Sequence, residues 1–479
     1  MKLALLGGGG FRVPLVYRTL MCDESAERVT ELRLYDQDAD RVAVIAKILS
    51  SIASDPASCT ASKTASAPKV VVCDNLTDAV GGVDFVFSAI RVGGTQGRAL
   101  DEQIAHRLGI LGQETTGFGG ICYALRGIPV ALEIARTIRD TNPDAWLINF
   151  TNPAGIITEA SAKILGRKVI GICDSPIGLA RRALTTLEGA GLVETGTAAR
   201  AGTGDGRVRL DYVGLNHLGW LQGIDVAGSD SAGSEVAESD VLPQLLQRPD
   251  LIETLEEGRL FGADWIRTLG CLPNEYLHYY YYARETVAAD TAADATRGIF
   301  LQRQQQDFYR RAQEAGPDDA WRLWDRTRRS REETYMATNR EAAGGMDRDE
   351  ADLESGGYDR VALAIMHAIA DDRPAQLILN VPNEGMIDFL PDDAIVEVPC
   401  IVDAAGPRPQ HVSAVPDHGR GLIQQVKHVE RTVIRAAVEE SRELAVEALA
   451  LHPLIDGVGV AREALAEAIA AFDQLGYLR

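Results

Sequence analysis

The first 36 residues constrain the fold more than any other stretch. "KLALLG" is a short apolar run ending in the glycines Gly7 to Gly10, a helical pattern follows through "VPLVYRTLM", and "ELRLYDQD" is a second apolar run ending in acids. This is a strand, helix, strand unit. "KVVVCD" and "VDFVFSAI" repeat the continuous apolar pattern of strands covered on both faces, as in a parallel sheet. "PVALEIARTIRDTNPDAWLINFTNP" adds a helix, a turn at Asn142-Pro143 and one more buried strand. The alternation predicts an α/β chain whose residues 1–165 form an N-terminal Rossmann-like doubly wound parallel sheet.

After "GRKVIGICDSP" the pattern changes. Helical segments interleave with charged loops, "ARAGTGDGRVRLDYVGLNHLGW" reads as containing a β-hairpin, and the last sixty residues read mostly as helices. Residues 166–479 are therefore expected to form a C-terminal mixed α+β, largely helical domain. A length of 479 residues fits two domains sharing an interface. Glu235 to Asp240 and "AAGGMDRDEADLESGG" are expected to be exposed loops.

Charge and cysteine usage narrow the partners. A formal net charge of −21 opposes binding to polyanions, so neither nucleic acid nor an anionic membrane is an expected partner. The seven cysteines (Cys22, Cys59, Cys73, Cys122, Cys173, Cys271 and Cys400) are scattered without a Cys-x-x-Cys pair, and are expected to be reduced thiols. "MKLALLGGGG" is too short for the apolar region of a signal peptide, and no later segment reads as a run of about 18 apolar residues. A cytoplasmic protein is the expectation.

Gly7, Gly8, Gly9 and Gly10 lie between a strand and a helix, where the backbone can approach a pyrophosphate and the helix N-terminus supplies unpaired N–H groups. The usual third glycine is absent, since the count from Gly7 lands on Arg12 and from Gly8 on Val13. Asp36 ends the second strand at the distance where a carboxylate accepts the ribose 2′-hydroxyl of NAD. A glycine turn without a ligand is the alternative. In "GICDSP" and "GLNHLGW", Cys173 and His217 together could bind a divalent metal through thiolate and neutral imidazole. Separately, each reads first as a buried structural side chain, and 44 residues of separation make no motif.

Longer blocks carry a family resemblance. "SAIRVGGTQGRALDEQIAHRLGILGQETTGFGGICYALRGIPV", with "NFTNPAG", "GICDSP", "GLNHLGW", "YLHYYYY", "NVPNEG" and "LPDDAIVEVPC", resembles the NAD- and divalent-metal-dependent glycosidases of glycoside hydrolase family 4. Within it the chain is most like the 6-phospho-β-glucosidases. The resemblance implies a redox-assisted elimination: hydride leaves sugar C3 for NAD⁺, a tyrosinate removes the acidified C2 proton, the aglycone leaves C1, water adds, and the hydride returns.

The residues implied follow the same blocks. Cys173 and His217 match the family's metal ligands, with manganese the implied ion. Tyr276 leads "YLHYYYY" and is taken as the base, while most of Tyr279, Tyr280, Tyr281 and Tyr282 are read as packing residues. Asp174 is implied as the acid that protonates the leaving group. Its place usually holds Asn in relatives acting on β-linked substrates and Asp in α-acting ones, so "CDSP" sets the anomeric preference against the β-type surroundings. Arg91, Asn152 and Arg297 are candidates for the sugar and phosphate end. Gly7 to Gly10, Phe11, Asp36, Gln113 and Glu114 are candidates for the cofactor.

The implied substrate is a phosphorylated disaccharide or an aryl glucoside 6-phosphate, and the implied assembly a homodimer or homotetramer. Alternatives are a 6-phospho-α-glucosidase or a non-phosphorylated glycosidase of the same family, a malate-type NAD dehydrogenase, and an inactive NAD-binding regulatory protein.

Overall fold

The computed structural model describes residues 1–54, 67–202, 206–229, 235–292, 296–333 and 357–479. Six amino-terminal strands, β1 (Lys2–Leu6), β2 (Glu31–Tyr35), β3 (Lys69–Val72), β4 (Phe85–Ser88), β5 (Trp146–Asn149) and β6 (Val169–Gly171), pair parallel in the order β3-β2-β1-β4-β5-β6. This is the doubly wound arrangement expected from the sequence, although its sixth strand lies beyond residue 165, where the sheet was expected to end. Its order reverses between β1 and β4, and there a crevice opens beyond the carboxyl ends of the strands. β4, β5 and β6 are buried along their whole length, which is why they read as unbroken apolar runs. β3 differs: as the edge strand it is only partly covered, and Val72 is 50% exposed, so "KVVVCD" is not covered on both faces.

The sheet continues past β6 with antiparallel strands. β7 (Val208–Leu215) and β8 (Leu218–Ser229) form the expected hairpin, with Asn216 and His217 at its tip. β11 (Ala375–Pro382) joins β6, β12 (Ile395–Asp403) lies between β11 and β7, and β10 (Leu272–Pro273) pairs β8 at the far edge. β9 (Glu235–Asp240) pairs β8 and β13 (Gly406–Pro409) pairs β12. Glu235 to Asp240 is thus a strand rather than an exposed loop, because β8 is long enough to offer it a ladder. The stretch "AAGGMDRDEADLESGG" lies outside the described residues but for Gly357, which begins a helix.

The junction between the two kinds of strand depends on a close approach. Asn380 of β11 lies opposite Gly171 of β6, and a Cβ on Gly171 would stand 2.7 Å from the Asn380 Cβ and 2.4 Å from Thr158 Oγ1. No side chain fits between them.

Helices cover the sheet, and a second core forms among helices alone. Phe118, Leu125 and Ile128 of the helix Gly117–Thr141 pack with Val429, Val433, Leu449 and Leu465 of the carboxyl-terminal helices Asp417–Val438, Arg442–Leu451 and Val458–Ala471. Gly117–Thr141 is long and apolar enough by length and composition to cross a membrane, with a mean hydropathy of 1.3 over its best window, although Arg126 and Glu133 keep it from being an unbroken apolar run. Of that window 83% is buried inside the protein, so its apolar character is accounted for by this core. Cys73, Cys122, Cys173, Cys271 and Cys400 are free thiols, whereas Cys22 is disulfide-bonded, against the expectation that all seven are reduced.

Candidate active site

Of the fifteen residues the sequence puts forward, all but Gly8 line one cavity of about 1640 Å³ at the carboxyl ends of the parallel strands. β1 delivers the glycine turn, β2 Asp36, β4 Arg91, β5 Asn152, and β6 Cys173 and Asp174. Gly8 instead faces β2, where its N–H donates to Tyr35 O at 2.9 Å.

Gly7 sits at φ +86°, and a Cβ there would stand 2.6 Å from Ala89 O, so the turn admits only glycine. Asp36 closes the turn, its Oδ2 accepting from Gly9 N–H at 3.1 Å. The carbonyls of the turn are held from the other half of the chain: Tyr309 Oη donates to Gly9 O at 2.6 Å, Trp324 Nε1 to Phe11 O at 2.7 Å, and Tyr358 Oη to Arg12 O at 3.3 Å. Phe11 is buried edge-on against Phe308, with ring centroids 5.1 Å apart. Nothing local in the sequence marks these clamps, since each joins residues 300 or more positions apart.

Cys173 Sγ and His217 Nε2 are 3.5 Å apart, both side chains are 6% exposed, and both line the cavity. The tight hairpin puts His217 at φ +64°. Burial pushes the Cys173 thiol well above its ordinary value, with Glu397 and Asp174 adding to it, and pushes His217 down to about 3. Both groups are therefore neutral near pH 7, the state of an imidazole ready to give a lone pair. A divalent ion fits this donor set once binding displaces the Cys173 proton: thiolate and imidazole nitrogen are ligands of first-row divalent metals, and two protein ligands leave positions open for other donors. Among the described residues no cluster of three or more His, Cys, Asp and Glu offers another metal site.

The Tyr276 ring stacks on His217, with centroids 3.7 Å apart and planes 9° from parallel. Tyr279 also lines the cavity. Tyr280, Tyr281 and Tyr282 turn their hydroxyls to protein partners: Tyr280 Oη lies 2.6 Å from Thr116 Oγ1, Tyr281 Oη accepts from Trp220 Nε1 at 3.1 Å, and Tyr282 Oη donates to Phe261 O at 2.8 Å.

Glu114 lies between two guanidinium groups, 2.7 Å from Arg91 Nη1 and 2.7 Å from Arg98 Nη1. Burial opposes its ionisation, yet the two arginines outweigh that and hold the carboxyl well below its usual range. Arg98 also binds Glu102, which accepts from Gly298 N–H and so brings the helix Arg297–Glu314 to the cavity wall. Arg297 lines the cavity there, one of its nitrogens donating to Arg331 O at 2.9 Å. Asn152 sits in the loop after β5, joined to Pro153 by a cis peptide. Asp174 stands before the first turn of the helix Ser175–Gly189, close to Gly357.

Arg98 and Thr115 were missed from the sequence, although both lie in the long block that carries the resemblance. Gln113 Oε1 accepts from Thr115 N–H at 2.5 Å, Thr115 Oγ1 at 2.8 Å and Thr116 N–H at 2.9 Å, while Thr115 Oγ1 lies 3.1 Å from His217 Nδ1.

A doubly wound sheet with its cavity at the switch point, lined by a glycine turn and a thiol–imidazole pair, defines an α/β enzyme of the dinucleotide-binding architecture. Comparison with known proteins sharpens this. The profile of the family 4 glycosyl hydrolases matches residues 2–188, and that of the family 4 glycosyl hydrolase C-terminal domain residues 212–455. The chain belongs to the family 4 glycosyl hydrolases, as the resemblance implied. It is 31% identical over 399 residues to a probable 6-phospho-beta-glucosidase of Bacillus subtilis, covering 81% of this chain and 78% of the relative. With a maltose-6'-phosphate glucosidase of Clostridium acetobutylicum it shares 27% identity over 485 residues, 98% of this chain and 97% of the relative. In three dimensions it superposes on the 6-phospho-beta glucosidase from Thermotoga maritima, solved with manganese, NAD+ and glucose-6-phosphate, with a TM-score of 0.75, 25% identity and all of both chains covered.

Proposed function

We propose that this protein is an NAD- and divalent-metal-dependent glycosidase that hydrolyses 6-phospho-β-glucosides. The observation that carries the reading is the stacking of Tyr276 on His217 beside Cys173, within the cavity that the glycine turn also lines. NAD⁺ supplies a reversible hydride acceptor for sugar C3, and a divalent ion such as Mn²⁺ supplies Lewis acidity toward the 2- and 3-oxygens.

The protein's own groups do the rest. The turn of Gly7 to Gly10 and Phe11, with Asp36, holds the dinucleotide, and Gln113 and Glu114 border its nicotinamide end. Cys173 and His217 hold the ion. Tyr276 removes the C2 proton once the neighbouring carbonyl has made it acidic, and returns a proton there after water has added at C1. Asp174 gives its proton to the glycosidic oxygen as the C1–O bond breaks. Arg91, with Asn152 and Arg297, binds the phosphate, whose oxygens match a planar guanidinium. Residues 1–165 form the dinucleotide-binding unit and residues 166–479 the unit that carries metal, base and oligomer contacts. The proposed setting is a cytoplasmic homodimer or homotetramer.

A second reading, the 6-phospho-α-glucosidase, is favoured by Asp174 itself and by the relatives that act on maltose 6'-phosphate. The test compares 4-nitrophenyl β-glucoside 6-phosphate with its α-anomer and both unphosphorylated sugars, using substoichiometric NAD⁺ with Mn²⁺. Fastest release from the phosphorylated β-anomer is expected, abolished by chelation and restored by Mn²⁺. Preference for the α-anomer would transfer the proposal to the second reading. Cleavage indifferent to both chelation and NAD⁺ removal would refute both.

A further inference from the structure

Glu397 lies in the middle of β12 with no exposed surface. A strand position at the centre of a covered sheet is ordinarily filled by an apolar side chain, because a buried carboxylate loses its hydration and has to recover it from hydrogen bonds. Here the recovery comes from three neutral donors. Asn216 Nδ2 donates to Oε1 at 3.1 Å, Asn380 Nδ2 to the same oxygen at 3.0 Å, and Tyr212 Oη to Oε2 at 3.1 Å.

Two of these bonds lead into the active site. Asn216 immediately precedes His217 at the tip of the hairpin, where the backbone is held at positive φ. Its tie to Glu397 pins that tip against β12. The second path runs through Tyr212, whose oxygen accepts from Asn274 Nδ2 at 3.3 Å, while Asn274 Oδ1 accepts from the backbone N–H of Tyr276 at 3.1 Å. Every donor in both paths points toward Glu397. In this geometry both oxygens of Glu397 only accept, whereas an amide in its place would turn a donor toward Tyr212 and leave that hydroxyl without an acceptor.

We propose that Glu397 is a positioning residue that orients both His217 and Tyr276, the one through Asn216 and the other through Tyr212 and Asn274. The inference rests on the roles proposed above for His217 and Tyr276. It makes metal binding and proton abstraction depend on one carboxylate that touches neither metal nor sugar.

The experiment uses the full-length protein and three variants, Glu397→Gln, Asn216→Ala and Asn274→Ala. Mn²⁺ affinity is read by calorimetric titration, the kinetic isotope effect with substrate deuterated at C2, and folding by thermal melting. Loss of an outer partner of a metal ligand weakens binding by about 10-fold or more. Glu397→Gln is expected to show that loss together with a lower kcat, a larger isotope effect and little change in KM. Asn216→Ala should lose Mn²⁺ affinity alone, and Asn274→Ala should raise the isotope effect alone. A folded Glu397→Gln with wild-type affinity and kcat would overturn the inference. If that variant does not fold, the single-path variants decide: both changed on their own path supports it, and either one unchanged refutes it. A wild-type protein that binds no Mn²⁺ or cleaves no phosphoglucoside would refute the functional reading instead, which keeps the two failures apart.

Discussion

Thr115 Oγ1 donates to Gln113 Oε1, so the hydroxyl oxygen is left to accept from His217 Nδ1. That places the imidazole proton on Nδ1 and leaves the Nε2 lone pair toward Cys173 and the cavity, the tautomer a metal ligand requires. Thr115→Val removes the hydroxyl at nearly constant volume and is expected to weaken Mn²⁺ binding by about 10-fold or more. Thr115→Ser should bind close to wild type; equal weakening in both variants, read by titration, would show that packing rather than the hydroxyl matters. Cys173 and His217 were legible in the sequence only through the resemblance, because nothing in their spacing signals a shared site. Thr115 lies within the quoted block, but a threonine beside the polar Gln113 and the charged Glu114 carries no signal of its own. Gln113 Oε1 closes its own loop and Glu114 is the counter-ion of two arginines, relations that only the folded geometry reveals.

The elements that carry the site were legible where their apolar pattern was continuous. β1, β4 and β5 followed from unbroken apolar runs, and the β7–β8 hairpin was read within its own stretch. β9 was not legible, since "EVAESD" has no apolar face of its own and becomes a strand only because β8 offers it partners. The helix Gly117–Thr141 shows a comparable dependence on its surroundings. The hydroxyl before it, Thr116 Oγ1, lies 3.3 Å from His452 Nε2, while Leu454 N–H donates to His452 Nδ1 at 3.1 Å. Burial pushes His452 down to about 3, below the ~6.5 of an exposed imidazole. Between those values the unfolded chain binds the proton and the folded protein does not, so stability present above about 6.5 is lost as the pH falls toward 3. Melting temperatures measured from pH 7 to pH 4 should therefore fall less steeply in His452→Gln than in the wild type. Parallel slopes would show that His452 is not a source of the acid sensitivity.

Across the whole molecule, one sheet runs from the dinucleotide-binding strands into the antiparallel strands that carry His217 and Glu397. The parallel half was legible as a doubly wound sheet because strands alternate with helices there, but not in its order, since β4 follows β3 in the chain and pairs β1. The insertion of β12 between β7 and β11 could not, since partners such as Glu397 and Gly214 lie far apart in the chain. A buried ionic cluster ties the same distant parts together. Lys427 Nζ lies 3.2 Å from Glu159 Oε2 and also contacts Glu430, and Ile395 N–H donates to that Glu159 oxygen at 3.0 Å. Lys427→Met would leave Glu430 without its cation and Glu159 with Arg431 alone, at a cost of about 3–5 kcal/mol in a denaturant melt. A loss below about 1 kcal/mol, the scale of a surface pair, would contradict the burial assigned to the cluster.

The proposed chemistry breaks the glycosidic bond by way of proton abstraction at C2. Cleavage of a 6-phosphoglucoside in D₂O, followed by NMR of the released glucose 6-phosphate, is the decisive test. Deuterium at C2 is expected, because the proton taken there is exchanged with solvent before a proton is returned. Protium retained at C2 throughout turnover would contradict it and point to direct displacement at C1.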